Sequence, residues 1–175
     1  MIRLGGSDCE QAVAGLLTQP INALSSLAFI PAGVLTVVAG MRATGLLRVQ
    51  IAGFAGALIA VGLGSFAYHG PQPAWAGRAH DGSIILALVS AILLAATAGG
   101  RRKRIWRTGL GRLSAALVAA ALPAYAAGRT GSPLCDPDSW IQLHAVWHVL
   151  AAGSALALAW GAATAPADRR SGLSA

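Results

Sequence analysis

Long apolar stretches separated by short polar segments dominate this chain. Each stretch is rich in Ala, Leu, Val, Ile and Gly, and charged or turn residues bound it on both sides. A bilayer core about 30 Å thick requires roughly 20 apolar residues per helix, so each stretch is long enough to cross a membrane. The pattern predicts an all-α, polytopic membrane bundle in one domain over residues 1–175, with an external N-terminal segment, partly helical, over 1–20 and spans near 21–41, 48–69, 82–99, 108–127 and 141–163.

Glycine and proline add detail to the predicted spans. Pro31 and Pro123 lie within spans and are expected to kink them, because proline cannot complete the helical hydrogen-bond ladder. Glycine in a membrane helix more often marks close helix packing than a break. The second span is therefore expected to pack closely at Gly53, Gly56, Gly62 and Gly64.

Composition and charge exclude the soluble classes. Of the 175 residues, 55% are hydrophobic and 11% are charged, whereas a soluble domain has about 25% charged residues. The net charge of +7 is a topology signal, because ten of the thirteen basic residues fall on one side of five spans. By the positive-inside rule that side is cytoplasmic, so the N-terminus is expected outside and the C-terminus inside, and no nucleic-acid partner is expected. The ten are Arg42, Arg48, Arg101, Arg102, Lys103, Arg104, Arg107, Arg112, Arg169 and Arg170.

The remaining ionisable residues collect at the opposite, outer ends of the spans. Ionisable groups at membrane depth are costly and usually face a bundle interior or a water-filled cavity, where they have a function. In this topology all four histidines and five of the six acids have this placement: His69, His80, His144, His148, Asp8, Glu10, Asp81, Asp136 and Asp138.

Spacing within this group indicates a metal site. His144 and His148 are four residues apart, so they are neighbours on one helical face and can reach a single ion. A third histidine from another helix would complete the three-histidine, open-position arrangement of catalytic zinc, and His69 is the natural candidate. Ser65 shares a helical face with His69, and Asp81, at the start of the third span, can take a proton from water or orient a histidine.

Each of these residues also has a simpler interpretation. The histidine pair can be a packing or hydrogen-bonding pair, Ser65 a helix–helix contact, and Asp81 a helix cap. His80 is interpreted as an interfacial residue near the entrance of the site. Helix packing is also the default for the polar stripe on the first span, whose alternative role is to position Asp81 or the histidines. The stripe comprises Gln19, Asn22, Ser25 and Ser26, with Glu10 shortly before it. None of these separate interpretations explains why Ser, Asp and three His from three spans meet at one side.

The two cysteines both fall on the predicted outer face. An oxidising compartment there permits a disulfide between Cys9 and Cys135, and two unrelated thiols are the alternative.

Taken in order and spacing, these residues resemble a known family. The set Ser65-x3-His69, Asp81 and His144-x3-His148, with Glu10 and Asn22-x2-Ser25 before it, resembles the alkaline ceramidases and the wider CREST superfamily of membrane hydrolases, which includes the adiponectin-receptor-like proteins. The resemblance runs from Asp8-Cys9-Glu10 to His148. It implies a zinc ion held by His69, His144 and His148, Ser65 and Asp81 around the attacking water, and a Cys9–Cys135 disulfide.

The chain departs from that family in two respects. The family has seven spans and this chain has five, so two helices between the third span and the histidine pair are missing. The family's calcium site is also incomplete, because only Glu10 clearly matches it. Ala12 and Gln19 stand where further ligands would be expected, which makes bound calcium doubtful.

The functional prediction is a zinc-dependent hydrolase that cleaves the amide bond of a ceramide-like N-acyl membrane lipid. Asp81 is expected to move the proton of the attacking water, and Ser65 to donate a hydrogen bond to the developing oxyanion. Glu10, Asn22 and Ser25 are expected to support the ligands. The expected location is a bacterial inner membrane, with the site facing the periplasm or exterior. The alternatives are a haem-binding electron-transfer protein and a receptor-like relative with structural zinc; the choice between amide and ester, and the oligomeric state, stay open.

Overall fold

The structure, a computed structural model, describes residues 4–97, 105 and 108–165. In this part of the chain the regular structure is entirely helical, and Asp8 and Arg129 form an isolated antiparallel bridge. The described residues do not include the basic run at 101–104, Arg107 or Arg169–Arg170. The described residues form six helices of more than one residue: α1 (Pro20–Ser26), α2 (Phe29–Gly40), α3 (Gly45–His69), α4 (Ala76–Thr97), α5 (Gly109–Ala127) and α6 (Leu143–Thr164).

Among the residues that the structure describes, five helical segments are long and apolar enough to cross a membrane, as the hydropathy pattern predicts. The first segment, Pro20–Gly40, combines α1 and α2, and each of the other four is a single helix. The predicted start of the third span at residue 82 is wrong, because α4 begins at Ala76. Arg78, His80 and Asp81 lower the hydropathy of its first turns without preventing a helix, so Asp81 lies inside α4 and does not open it.

The break between α1 and α2 follows from Pro31. Proline has no N–H to donate to the carbonyl of Leu27, four residues earlier, and its ring crowds that carbonyl. The α-helical hydrogen-bond ladder is accordingly interrupted at Leu27–Ala28, whose backbone stays in the right-handed helical region with bonds to the residue three positions earlier, and α-helix resumes at Phe29. This break makes α1 a separate short element at one end of the span, whereas Pro123 is accommodated inside α5.

The helices pack with α3 and α6 at the centre. α3 packs against α1, α2 and α4, whereas α6 packs against α5, α2 and α1. A Cβ atom at Gly64 would lie 2.9 Å from the carbonyl oxygen of Ala79, and one at Gly62 would lie 2.8 Å from Ile30 Cγ1, which confirms close packing at both glycines. Gly53 and Gly56 face open space, so that prediction is wrong for them. They lie nearer the other end of α3, where its neighbours leave room.

One end of the bundle is covered by three irregular segments, residues 4–19, 70–75 and 128–142, and we call it the histidine end. The Cys9–Cys135 disulfide joins two of these segments, with the Cα atoms 5.5 Å apart, and confirms the predicted pairing. Backbone hydrogen bonds reinforce the link, since Cys9 N–H donates to the Gly128 carbonyl and Thr130 N–H to that of Ser7. Residues 4–19 form turns and extended backbone, so the expectation of a partly helical N-terminal segment is wrong.

Candidate metal centre

Three buried histidines meet at the histidine end. His69 is the last residue of α3, and His144 and His148 occupy the first two turns of α6. The centroid of the His69 ring lies 5.2 Å from that of His144 and 5.4 Å from that of His148, and the His144 and His148 centroids are 4.7 Å apart. Each residue offers a ring nitrogen within 4.8 Å of the others. The structure thus brings together the three residues that the spacing selected.

The His69 ring is oriented by Gln19. Its Nδ1 lies 2.8 Å from Gln19 Oε1. The amide nitrogen of Gln19 is committed elsewhere, because it donates to the carbonyls of Gly5 and Glu10. The amide oxygen can only accept, so this network assigns the proton to Nδ1 of His69. The Nε2 lone pair of His69 is therefore free.

Ser25 assigns the tautomer of His148 in the same way. The Ser25 hydroxyl lies 2.9 Å from His148 Nδ1 and 3.0 Å from the Asn22 carbonyl oxygen. A hydroxyl carries one hydrogen, and the carbonyl can only accept it. Ser25 Oγ therefore accepts from Nδ1–H of His148, which leaves Nε2 of that ring as the free lone pair.

His144 faces a carboxylate. Its Nδ1 lies 3.4 Å from Asp8 Oδ1, and the same oxygen accepts a 2.8 Å hydrogen bond from the Arg129 guanidinium. Burial raises the pKa of Asp8 above its ordinary value, whereas the positive charge of Arg129 acts in the opposite direction. The contact between His144 Nδ1 and Asp8 is not a hydrogen bond, so of the three Nδ1 atoms only those of His69 and His148 are hydrogen-bonded to an oxygen.

A buried nitrogen without a partner gives the clearest indication that the site takes a ligand. Nε2 of His69 is buried and has no hydrogen-bond partner, and the same is true of Nδ1 of His144. Leaving a buried polar atom unpaired costs about 1–3 kcal/mol, so such atoms are uncommon. Metal-ligating histidines typically use one ring nitrogen for the ion while the other donates to a carboxylate, carbonyl or similar oxygen. The residues present therefore fit a zinc ion held by three imidazoles.

Glu10 and Asn22 support the site through the backbone. The carboxylate oxygens of Glu10 accept hydrogen bonds from the N–H groups of Ile21 and Asn22, at 2.7 and 2.8 Å. These N–H groups are in the first turn of α1 and have no helical acceptor, so Glu10 acts as a distant cap for the helix that carries Ser25. Burial raises the pKa of Glu10, and the two backbone hydrogen bonds oppose that rise. The side-chain amide of Asn22 is buried without a hydrogen-bond partner.

Ser65 and Asp81, the two predicted catalytic residues, have different placements. Ser65 is buried on α3 one turn before His69, as expected. The Asp81 side chain is 74% exposed and is not part of the group formed by the three histidines. His80 lies on the packed face of α4 and Asp81 beside it with its side chain towards solvent, so Asp81 does not contact the three histidines directly.

His80 links Asp81 to the histidine group. Its Nδ1 lies 2.8 Å from Asp81 Oδ1, its ring stacks on Tyr68 with centroids 4.2 Å apart, and its centroid lies 6.1 Å from that of His69. Only 17% of its side chain is exposed. His80 therefore lies closer to the three histidines than expected for an interfacial residue near the entrance of the site.

Sequence reasoning missed the parts played by Gln19, Asp8, Arg129 and His80. Gln19 was visible only as a member of a polar stripe, and Asp8 only as the neighbour of Cys9. The Asp8–Arg129 pair joins residues 121 positions apart, and no local pattern indicates such a contact.

Comparison with other proteins gives no independent assignment. No protein-family model, curated protein or solved structure matches this chain.

Proposed function

We propose that the protein is a zinc-dependent membrane hydrolase that cleaves the amide bond of a ceramide-like N-acyl lipid. The observation that carries the proposal is the convergence of three buried imidazoles, two of which are held at Nδ1 by an oxygen, while Nε2 of His69 and Nδ1 of His144 have no hydrogen-bond partner. A packing cluster would have no need for buried ring nitrogens without partners. The resemblance of the residue order to the alkaline ceramidases supplies the reaction class.

The ligands of the proposed ion are His69, His144 and His148. Zinc held by three histidines supplies a Lewis acid that activates water at neutral pH. Gln19 and Ser25 keep the rings of His69 and His148 in position, because each provides an oxygen to one Nδ1 atom, and the Asp8 carboxylate lies 3.4 Å from Nδ1 of His144. Histidine rings that are already held in position lose less conformational entropy when the ion binds.

Proton transfer is assigned to the His80–Asp81 pair. Asp81 accepts from Nδ1–H of His80, which leaves Nε2 of His80 as a base near His69. This is the arrangement in which a carboxylate orients a histidine for general base catalysis. In the hydrolysis, the water oxygen forms a bond to the amide carbon and the carbon–nitrogen bond breaks. His80 Nε2 takes a proton from the water and returns it to the leaving amine.

Ser65 is the candidate donor to the oxygen of the reacting carbonyl. It is buried one turn before His69 on the same face of α3. A single hydrogen bond that strengthens in the transition state contributes about 3 kcal/mol to catalysis. Ser65 thus keeps the role expected from the sequence, whereas Asp81 acts through His80.

The membrane location supports a lipid substrate and an extracytoplasmic site. Five helices are long and apolar enough to span a bilayer, and the histidines lie at one end of them. The disulfide at the same end is compatible with an oxidising compartment, as the charge pattern along the sequence also predicts. We accordingly propose that the histidine end faces the periplasm or exterior.

The geometry favours zinc over haem. Two axial histidines of a haem lie on opposite faces of the porphyrin, whereas His144 and His148 share one face of α6 with centroids 4.7 Å apart. No porphyrin fits between rings that close, so the two would compete for one coordination position.

The test is hydrolysis of a ceramide with a fluorescent acyl chain by the purified protein, followed as release of the labelled fatty acid. We expect a chelator to abolish release and stoichiometric zinc to restore it. A zinc-loaded protein that releases no acyl chain would instead support the receptor-like alternative. A Soret band in the purified protein would support haem.

A further inference from the structure

A groove between α1 and α6 opens on the surface beside the metal centre. It has a volume of about 320 Å³, and its walls are almost entirely apolar. It extends along α6 from Gln142 to Leu150, which corresponds to roughly 12 Å at the helical rise of 1.5 Å per residue. Its lining includes Ile21, Ser25, Trp140, Ile141, Val149 and Leu150.

The groove reaches the support of a proposed metal ligand. Ser25 is in its wall, and the hydroxyl of Ser25 holds Nδ1 of His148. On α6, Val149 directly follows His148, so the groove and the ligands occupy adjacent faces of one helix. Only the Ser25 side chain would therefore separate an occupant of the groove from the proposed ligand His148.

The polar groups in the groove are already engaged, which argues against a headgroup as its occupant. The Ser25 hydroxyl is shared between His148 and the Asn22 carbonyl. The amide nitrogen of Gln142 donates to the carbonyls of residues 136, 137 and 139. What the groove offers is apolar surface, and the ligand that suits such a surface is a hydrocarbon chain.

The groove is continuous with the surface that faces the bilayer. Leu24 on α1 and Val149 on α6 are more than half exposed, and both belong to segments long enough to span a membrane. At the histidine end of the groove, Trp140 is 90% exposed, and exposed tryptophans are typical of the membrane–water interface. A lipid can thus pass sideways from the bilayer into the groove with its polar part at the level of Trp140.

We infer that the α1–α6 groove binds the acyl chain of the N-acyl lipid and brings its amide carbonyl past Ser25 to the histidine group. This inference rests on the proposed function, because that function supplies the substrate class. It adds the binding site for the chain and the route by which the chain leaves the bilayer.

The direct test is photolabelling of the full-length protein in phosphatidylcholine vesicles. The probe is an N-acyl alkylamine whose acyl chain carries a diazirine, and labelled residues are mapped by peptide mass spectrometry. We expect labels on residues 21–25 and 140–150, suppressed by excess unlabelled N-acyl alkylamine and unchanged by additional phosphatidylcholine. Labels spread evenly over the exposed residues of α4, or equal suppression by phosphatidylcholine, would show ordinary bilayer contact and overturn the inference.

A second test uses two matched substitutions. Val149→Trp fills the groove, whereas Val89→Trp adds the same bulk at an exposed position of α4. We expect Val149→Trp to lower kcat/KM for a long-chain amide by about tenfold or more, with zinc content unchanged, and Val89→Trp to have no effect. Equal effects of the two variants would overturn the inference. The labelling requires no turnover, so it separates failure of the groove from failure of the proposed hydrolase activity.

Discussion

Two buried polar clusters lie inside this bundle, and they differ in how completely they are hydrogen-bonded. Between α5 and α6, the hydroxyls of Ser114 and Ser154 are 3.1 Å apart, and Ser154 also donates to the Ser114 carbonyl at 3.0 Å. At the histidine end, Nδ1 of His69 and of His148 is hydrogen-bonded, but Nε2 of His69 and Nδ1 of His144 have no hydrogen-bond partner. The first cluster is complete by itself. The second leaves two imidazole nitrogens without a partner.

This difference separates a structural polar contact from a binding site. Interhelical serine pairs in membranes satisfy each other and hold helices together, with about 0.6 kcal/mol per contact. A buried imidazole nitrogen left without a partner costs more than such a contact provides. The protein maintains that cost while Gln19 and Ser25 hold two of the rings, as expected if a ligand compensates for it.

The largest effect is expected from removing one of the three proposed ligands. Loss of a residue that hydrogen-bonds a metal ligand lowers metal affinity or activity by at most roughly 100-fold. His148→Ala should lower the rate of hydrolysis by more than this, because an ion held by two histidines dissociates readily. Initial rates of acyl release at equal protein concentration measure the loss. Ser114→Ala is the control for general damage to the bundle, and an active His148→Ala variant would contradict the assignment.

The next effect concerns the His80–Asp81 pair. Asp81→Asn should lower kcat by about 100-fold. This is the low end of the range that a general base contributes to the rate, because the carboxylate acts through His80. Zinc content should stay unchanged, since neither residue is a proposed ligand.

A double-variant comparison sharpens this point. His80→Gln should resemble Asp81→Asn, and the double variant should be no slower than the slower single variant, because both changes disable one unit. Multiplicative losses would show that the two residues act separately.

A smaller loss is expected at Gln19. Gln19→Leu removes the acceptor for His69 Nδ1 and should weaken zinc binding by between about tenfold and 100-fold. Gln19→Glu keeps an oxygen at this position and should restore part of the affinity. Zinc competition titrations with a fluorescent chelator measure both variants, and equal affinity of wild type and Gln19→Leu would remove Gln19 from the site.

The smallest effect is expected at the Ser114–Ser154 pair, whose hydroxyls are fully hydrogen-bonded. Ser114→Ala should lower the free energy of unfolding by about 0.6 kcal/mol, the average for interhelical hydrogen bonds in membranes, and leave zinc affinity unchanged. Unfolding in mixed micelles measures the first quantity. A loss of zinc with Ser114→Ala would show that the two clusters are coupled.

The sequence predicted those features that depend on local periodicity or on residue chemistry. Hydropathy located the five spans. The spacing of four residues placed His144 and His148 on one helical face, and the predicted disulfide between the two cysteines is present. It misplaced the start of α4 because hydropathy counts Arg78, His80 and Asp81 against a span, although a helix extends readily into the interfacial region.

The supporting oxygens were harder to predict. Gln19 and Asp8 reach their histidines across 50 and 136 positions of the chain, through a covering segment that has no regular structure. Hydrophobic periodicity carries no information about such a segment. Its position depends on the disulfide and on backbone hydrogen bonds to residues 128–142.

X-ray absorption at the zinc edge, combined with elemental analysis of the purified full-length protein, tests the central claim most directly. A catalytic zinc held by His69, His144 and His148 predicts about one zinc ion per chain, with a spectrum fitted by three imidazole nitrogens and a light-atom ligand at the open position. Protein that binds no zinc after reconstitution, or a spectrum with fewer than three imidazoles, would contradict it.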